Sequence, residues 1–412
     1  MSELVIHRGT REIGGNAIEI STNDAKVLFD FGIPLESMDR KDCSPEDYKL
    51  NIKGLYKNEK PEFDAVFLTH AHPDHYGLIK LINPEIPVYM SKITYDILTK
   101  ITPVIKNEEY EFLNNLKIIE NMTVDLGSIK VKSHSVDHSI AGACAYEICV
   151  PGKTIIYTGD IRFHGRTSWQ SIGFKNKIKN PDYLIMEGTT LGRAEQKIIK
   201  ESDLEKDFIK IFKGDKLPLV QFSPLNIDRF VTIYRACIQA RKNLVIDPYT
   251  CYVLETYKPL SEKIPQFDWN NIVVYFAKSG VTDKLAETKK LFKYKSKKIT
   301  EDEILKNPKD YVIKGNWTIN NKVLKQMEKD KINIVFSMWQ GYLDKPNQFE
   351  NYKDIITQLH TSGHAYICDL QDFVKETRPK NLIPVHTEYG KQYSEIFDSN
   401  VIELKDGQKF CL

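Results

Sequence analysis

Four side chains able to bind a metal, His70, His72, Asp74 and His75, fall within six positions of the stretch Leu68-Thr69-His70-Ala71-His72-Pro73-Asp74-His75-Tyr76-Gly77. They include three of the chain's ten histidines and follow directly on the apolar run Ala65-Val66-Phe67-Leu68. Imidazole and carboxylate ligands suit zinc or manganese, and one short loop can face two neighbouring ions. Two ions so placed activate water for attack on a phosphoryl or carbonyl centre. The competing reading is a surface loop that is polar by chance.

One loop cannot complete two coordination spheres, so further ligands are expected where other strands end. His134 follows a strand expected over residues 129–133, Asp160 follows one over 154–158, and His386 follows one over 382–385. Each alone reads as a hydrogen-bonded surface residue. Recurrence of the same topological position three times points to one metal-binding edge. Other expected strands lie at 3–7, 16–20, 26–30, 64–68, 87–90, 144–150 and 183–186, rich in Val, Ile and aromatic residues and bounded by turn formers. Helical patterns fall around 94–100 and 108–116. Many strands with a few helices suggest sheet layers covered by helices.

From about Glu195 the texture changes. Residues 202–212 and 228–241 read as amphipathic helices, and 243–247, 272–275 and 332–336 as buried strands. This alternation describes a β/α unit inserted into the first domain. After Gly363 the pattern runs helix (369–376), strand (381–385), helix (391–397) and a closing strand pair, whereas the polar segment 297–330 resists assignment.

Length and composition narrow the setting. A chain of 412 residues with 41% hydrophobic and 28% charged residues describes an ordinary globular protein of two or three domains. The seven cysteines form no CxxC pair, no signal-peptide pattern opens the chain, and no apolar run reaches the length of a membrane span. These features place the expected location in a reducing cytoplasm, with no membrane partner. A net charge of +2 does not by itself announce a nucleic-acid partner. Locally, however, seven lysines lie between Lys284 and Lys298, interleaved with Phe292 and Tyr294. Such a stretch can track phosphates and stack bases, or it can be a solvated helix face.

Several short motifs together resemble a known family. They are Arg8-Gly9-Thr10-Arg11-Glu12-Ile13-Gly14-Gly15-Asn16, Phe29-Asp30-Phe31-Gly32, the HxHxDH run from His70 to His75, His134, and Thr158-Gly159-Asp160. Downstream follow Ile185-Met186-Glu187-Gly188-Thr189, Phe222-Ser223-Pro224-Leu225-Asn226-Ile227-Asp228-Arg229, Thr361-Ser362-Gly363-His364-Ala365 and Pro384-Val385-His386-Thr387-Glu388. The set resembles the metallo-β-lactamase-fold nucleases with a β-CASP domain, and within them ribonuclease J. The HxHxDH run alone marks only the superfamily; its combination with SGHA and PVHxE is more specific.

The resemblance implies an α/β protein. A metallo-β-lactamase αββα sandwich would span residues 1–195 and 361–412, with an inserted β-CASP α/β domain over 196–360. It implies two divalent ions, zinc first and manganese second. One would be held by His70, His72, His134 and Asp160, the other by Asp74, His75, Asp160 and His386, with Asp160 bridging. Asp30 would orient these ligands from behind. Asp74, Glu187 and His364 are the candidate catalytic residues, His364 serving to protonate a leaving oxygen or stabilise charge on it. Ser223, Asn226, Ser362 and Gly363 are candidate phosphate contacts. His138 stays open between touching substrate and capping a turn.

The implied activity is hydrolysis of single-stranded RNA by a metal-activated hydroxide, leaving 5′-phosphates, in RNA processing or decay. A DNA nuclease, a nucleotide phosphodiesterase and a non-catalytic RNA-binding subunit are the alternatives. The chain ends 26 residues past His386, where ribonuclease J continues into a further domain that assists assembly. A homodimer is therefore one expectation among others.

Overall fold

The computed structural model describes residues 2–35, 43–106, 115–120, 122–193 and 197–412. Strands are numbered here along the chain. The first eleven are β1 (Glu3–Arg8), β2 (Ala17–Ser21), β3 (Lys26–Phe29), β4 (Ala65–Phe67), β5 (Val88–Met90), β6 (Leu116–Ile118), β7 (Thr123–Leu126), β8 (Ile129–Ser135), β9 (Cys144–Val150), β10 (Lys153–Tyr157) and β11 (Tyr183–Glu187). Next come β12 (Leu217–Gln221), β13 (Asn243–Ile246), β14 (Ile272–Tyr275), β15 (Lys298–Ile299), β16 (Tyr311–Lys314), β17 (Ile332–Phe336) and β18 (Ile356–Gln358). The chain closes with β19 (Asn381–Val385) and β20 (Lys409–Cys411).

Two compact units emerge. One comprises residues 1–99, 108–198 and 363–412, and the other residues 100–107 and 199–362. The sequence alone puts residues 100–107 in the first domain. They cluster with the second because the helix Thr102–Lys106 lies by the helix Gly280–Glu287, where Lys284 Nζ donates to Pro103 O at 3.0 Å. The helix expected over 108–116 falls mostly outside the described residues, as does the expected boundary at 195/196.

The first unit holds two sheets. One has the order β20-β1-β2-β3-β4-β5-β6 and the other β19-β11-β10-β9-β8-β7. Residues alternate sides along a strand. Leu4, Ile6, Ile18, Val27, Phe29 and Phe67 of the first sheet therefore meet Val131, Tyr146, Ile155, Ile185 and Val385 of the second in one apolar core. The opposite face of the second sheet packs Ile156, Leu184, Met186 and Leu382 against Phe174, Leu370, Phe373 and Val374 of the helices Ser168–Lys177 and Ile367–Thr377. Sheet on sheet, with helices outside, is how two half-apolar layers bury both of their inner faces.

The second unit is a seven-stranded parallel sheet, β15-β14-β13-β16-β12-β17-β18. Its strands read as near-continuous apolar runs because helices cover them. Asn226 starts the helix Ile227–Ala240 by accepting from Arg229 N at 3.1 Å, and Phe230, Ile233, Tyr234 and Cys237 form its buried stripe. Segment 297–330 resolves into β15, the helix Glu301–Lys306, β16 and the helix Trp317–Gln326. Its polarity is that of short elements whose outer faces are solvated.

The lysine-rich stretch is largely tied into this unit. Besides Lys284, Lys290 donates to Tyr252 Oη at 2.7 Å, Lys297 donates to Trp269 O at 3.1 Å, and Lys293 pairs with Glu255. Tyr294 is buried, while Phe292 stays exposed under the Lys295 ammonium, 4.5 Å from its ring centre. Most of these cations therefore serve the fold rather than a free phosphate-tracking surface.

Candidate metal centre

Strand ends and tight loops bring the site together. The loop after β4 turns into the short helix Pro73–Tyr76, with His72 as its N-cap. It closes on the segment after β3 so tightly that a Cβ on Gly32 would lie 1.6 Å from Asp74 O, so only glycine permits this approach. Asp160 follows β10 through Gly159 at φ +53°, where a Cβ would meet Thr69 at 2.7 Å. His386 ends β19 at φ +55°, a left-handed conformation rare for a non-glycine residue, with its N–H donating to Gly9 O at 2.7 Å.

Among the described residues three groups of four donors result, each with its atoms within 4.8 Å of one another. His70, His72, His138 and Asp160 form one and Asp74, His75, Asp160 and His386 another, sharing only Asp160; the third, Asp160, Glu187, His364 and His386, overlaps them. Asp160 Oδ2 lies 3.5 Å from His70 Nε2, 3.2 Å from His75 Nε2 and 3.7 Å from His138 Nε2, and its Oδ1 lies 3.7 Å from His386 Nε2. His386 Nε2 lies 3.3 Å from Asp74 Oδ2. Two of these atoms, His75 Nε2 and Asp160 Oδ1, are buried without a hydrogen-bond partner. A buried polar atom left unpaired is costly. Nitrogen and carboxylate donors converging around such orphans fit divalent metal ions.

The far nitrogens of His70, His75, His138 and His386 are engaged. His75 Nδ1 donates to Asp30 Oδ2 at 2.8 Å, and His138 Nδ1 to Gly363 O at 2.6 Å. His70 Nδ1 meets Thr69 Oγ1 at 3.0 Å, and His386 Nδ1 meets Thr189 Oγ1 at 2.8 Å. Thr69 Oγ1 in turn donates to Asp30, and Thr189 Oγ1 to Glu187 Oε2 at 2.6 Å, so each of these four imidazoles can donate Nδ1–H and keep a lone pair on Nε2, whereas His72 turns its Nδ1 toward His70 and His138. Asp30 is fully buried and also accepts from Tyr157 Oη at 2.7 Å.

Electrostatics follow from burial. Burial holds His70 and His138 well below the usual histidine range, and lowers His72 to about 4. At His75 burial acts in the same direction but is outweighed by Asp160, Asp30 and Asp74, which raise it well above that range. Burial opposes ionisation of Asp74, yet His75 and His386 bring it down to about 2. A cluster of carboxylates that stays ionised when buried is one prepared for positive charge.

Beside the two sets, Glu187 ends β11. Its Oε1 accepts from Ile161 N at 2.7 Å and its Oε2 accepts from His364 Nδ1 at 2.8 Å. That bond fixes the His364 ring, whose Nδ1 also lies 3.8 Å from Asp160 Oδ2. Burial lowers the pKa of His364, but Glu187 and Asp160 prevail and raise it.

The structure corrects one expected ligand. His134 does not join the cluster: its Nε2 meets Glu147 Oε2 at 2.8 Å, and its ring packs on Phe174 at 5.3 Å. The reason is register. β8 runs on to Ser135, so His134 sits inside the strand, opposite Ala145, on the face shared with Lys130 and Lys132. The turn beyond β8 carries His138 into the place expected for His134. The available signal is the second histidine of His134-Ser135-Val136-Asp137-His138, one short turn past the true strand end. Ser223, Asn226 and Ser362 belong to the second unit. Ser223 Oγ accepts from Leu225 N at 3.3 Å and Asn226 caps a helix, so both have local structural work.

Comparisons with known proteins agree with this fold. Residues 42–219 match a family described as "Beta-lactamase superfamily domain", and residues 352–395 one described as "Zn-dependent metallo-hydrolase RNA specificity domain". The chain has the metallo-β-lactamase fold with the β-CASP layout. In sequence it is ribonuclease J-like.

Ribonuclease J of Mycoplasma pneumoniae is 22% identical over 416 residues, covering 92% of this chain and 67% of that protein. Transcription termination factor FttA of Methanothermobacter thermautotrophicus is 26% identical over 233 residues, covering 48% of this chain but only 35% of the factor. The match thus spans about a third of one relative and two thirds of the other. A solved structure titled as a protein of unknown function from Enterococcus faecalis V583 superposes with a TM-score of 0.80 at 24% identity, covering 100% of both chains, a likeness of fold. No helix among the described residues is long and apolar enough to cross a membrane.

Proposed function

We propose that this protein is a metal-dependent ribonuclease that hydrolyses phosphodiester bonds of single-stranded RNA, by internal cuts and from the 5′ end, leaving 5′-phosphates. The carrying observation is the pair of four-donor sets sharing Asp160, with His364 held by Glu187 at their side. RNA as substrate is supported by the match to an RNA specificity domain and by the similarity to ribonuclease J.

In this reading His70, His72, His138 and Asp160 hold one divalent ion and Asp74, His75, Asp160 and His386 the other, zinc first by its preference for nitrogen and carboxylate ligands. Such a pair supplies an activated water and neutralises charge on the phosphoryl oxygens. Asp30, Thr69, Thr189 and the Gly363 carbonyl keep His75, His70, His386 and His138 in the ligating tautomer. His364, protonated and oriented by Glu187, gives its Nε2 proton to the leaving 3′ oxygen. Ser223, Asn226, Ser362 and Gly363 are candidate phosphate contacts. The seven cysteines are all free, which supports work in a reducing compartment such as the cytoplasm.

The test is cleavage of single-stranded RNA labelled at either end, with Zn²⁺ or Mn²⁺, by native protein and Asp74→Ala. Products with 5′-phosphates from native protein alone are expected, and the two labels separate internal from terminal cutting. Absence of RNA cleavage by metal-loaded protein, with a matched DNA strand cut instead, would replace this reading by that of a DNA nuclease. Sedimentation of the same samples reads whether a homodimer forms.

A further inference from the structure

The hydrolytic centre makes no use of two of the sequence motifs, Thr10-Arg11 of the opening turn and Glu388 with Tyr389 just past His386. In the first unit they meet around an open cavity of about 560 Å³, which Lys391 and Lys405 also line. That volume lies within the roughly 300–1,000 Å³ of small-molecule sites.

Three features give the cavity a chemical character. Arg11, Lys391 and Lys405 line it, and none has a carboxylate within 4.0 Å among the described residues. Glu388 and Glu403 line it too, which leaves a formal excess of one positive charge. Thr10 is only 6% exposed; its N–H is taken by Asp406 Oδ1 at 3.1 Å, while its Oγ1 has no hydrogen-bond partner. A buried hydroxyl left unpaired beside a cavity is costly, and a turn of this side chain would bring it to a group bound there.

We propose that this cavity is a binding site for a nucleoside monophosphate unit. Arg11, Lys391 and Lys405 take the phosphate, in the manner of guanidinium and ammonium groups. A carboxylate, Glu388 or Glu403, accepts from the ribose hydroxyls. The half-exposed Tyr389 offers a face to the base. Thr10 Oγ1 supplies or receives the remaining hydrogen bond. The unit is either a free nucleotide or one residue of a strand. Glu388 is two residues from His386, so their Cα atoms lie within about 7 Å, and a strand leaving the metal centre could reach the site. This is a binding site only, and it stands whether or not the metal centre cuts RNA.

Calorimetric titration of the native, metal-loaded protein with adenosine 5′-monophosphate tests it, with adenosine and inorganic phosphate as partial ligands. Arg11→Ala/Lys405→Ala is expected to weaken nucleotide binding about tenfold or more, and Thr10→Val to weaken it with the cations intact. A single-stranded oligonucleotide titrated into Asp74→Ala, with and without the double substitution, separates the sources. Loss confined to the oligonucleotide assigns the site to the strand, and loss of mononucleotide binding assigns it to a free ligand. Binding of both probes unchanged by the double substitution, or no binding of either, overturns the proposal. Cleavage is not the readout, so failure of the ribonuclease reading would leave this result interpretable.

Discussion

At the scale of single residues, the site turns on which histidine each turn delivers. His138 lies with His70 and His72 about Asp160, whereas His134, four residues earlier, pairs with Glu147. Replacing a ligand removes a bond to the ion; replacing His134 removes an ion pair at a strand face. His138→Ala is expected to lose metal and at least about a hundredfold in cleavage, and His134→Ala to keep both, as metal analysis and rate measurement would show. The opposite result would return the ligand role to His134. Glu187 allows a second prediction, in pH. His364 has its pKa raised by Glu187 and Asp160 against burial. A proton donor works below its own pKa and fails as pH rises through it. In Glu187→Gln the imidazolium loses its anionic partner, so the alkaline limb of kcat/KM should move to lower pH. Bound cations lower the pKa in both proteins and leave that direction unchanged. An unmoved limb would remove His364 from the proton transfer.

Secondary elements explain why the sequence is so legible in some places and not in others. The HxHxDH loop, Asp160 and His386 can be read because each follows a strand whose apolar run stops abruptly. The ends of β14 and β17 match expectation for the same reason: parallel strands are apolar on both faces, and the run itself marks their limits. β8 hides its end because it alternates. Ser133, His134 and Ser135 are polar whether they lie within a strand or past it, and only pairing with β9 decides. The helix Pro248–Tyr257 escapes a reading by pattern because it is buried nearly all round and shows no polar stripe. Gly32 belongs at this scale too. Any side chain there must push the backbone of Asp74 and His75 away from the segment after β3. Gly32→Ala should therefore cost about 1–3 kcal/mol or more and loosen metal binding, seen as a lower Tm together with reduced metal stoichiometry. A variant of native stability and metal content would show that the loop has slack.

Over the whole molecule, metal binding should stabilise one unit only, since every donor of both sets lies in residues 1–99, 108–198 and 363–412. An ion that binds the folded state at a hundred times its Kd adds about 2.7 kcal/mol, or roughly 5–10 °C in the Tm of a unit this size. Calorimetric scans with and without Zn²⁺ should show one transition rising while that of the parallel-sheet unit stays put. Two transitions moving together would mean that the units unfold as one.

The first unit is also discontinuous in the chain: β11 pairs with β19 by setting Glu187 against Val385, nearly two hundred residues on. His364 and His386 both arrive with that late segment, after an entire parallel sheet has been spelled out in the sequence. During synthesis the HxHxDH loop leaves the ribosome long before either of them. If the proposed ribonuclease reading holds, the cutting site is therefore expected to stay incomplete until residues 363–412 have been translated and β19 has paired with β11.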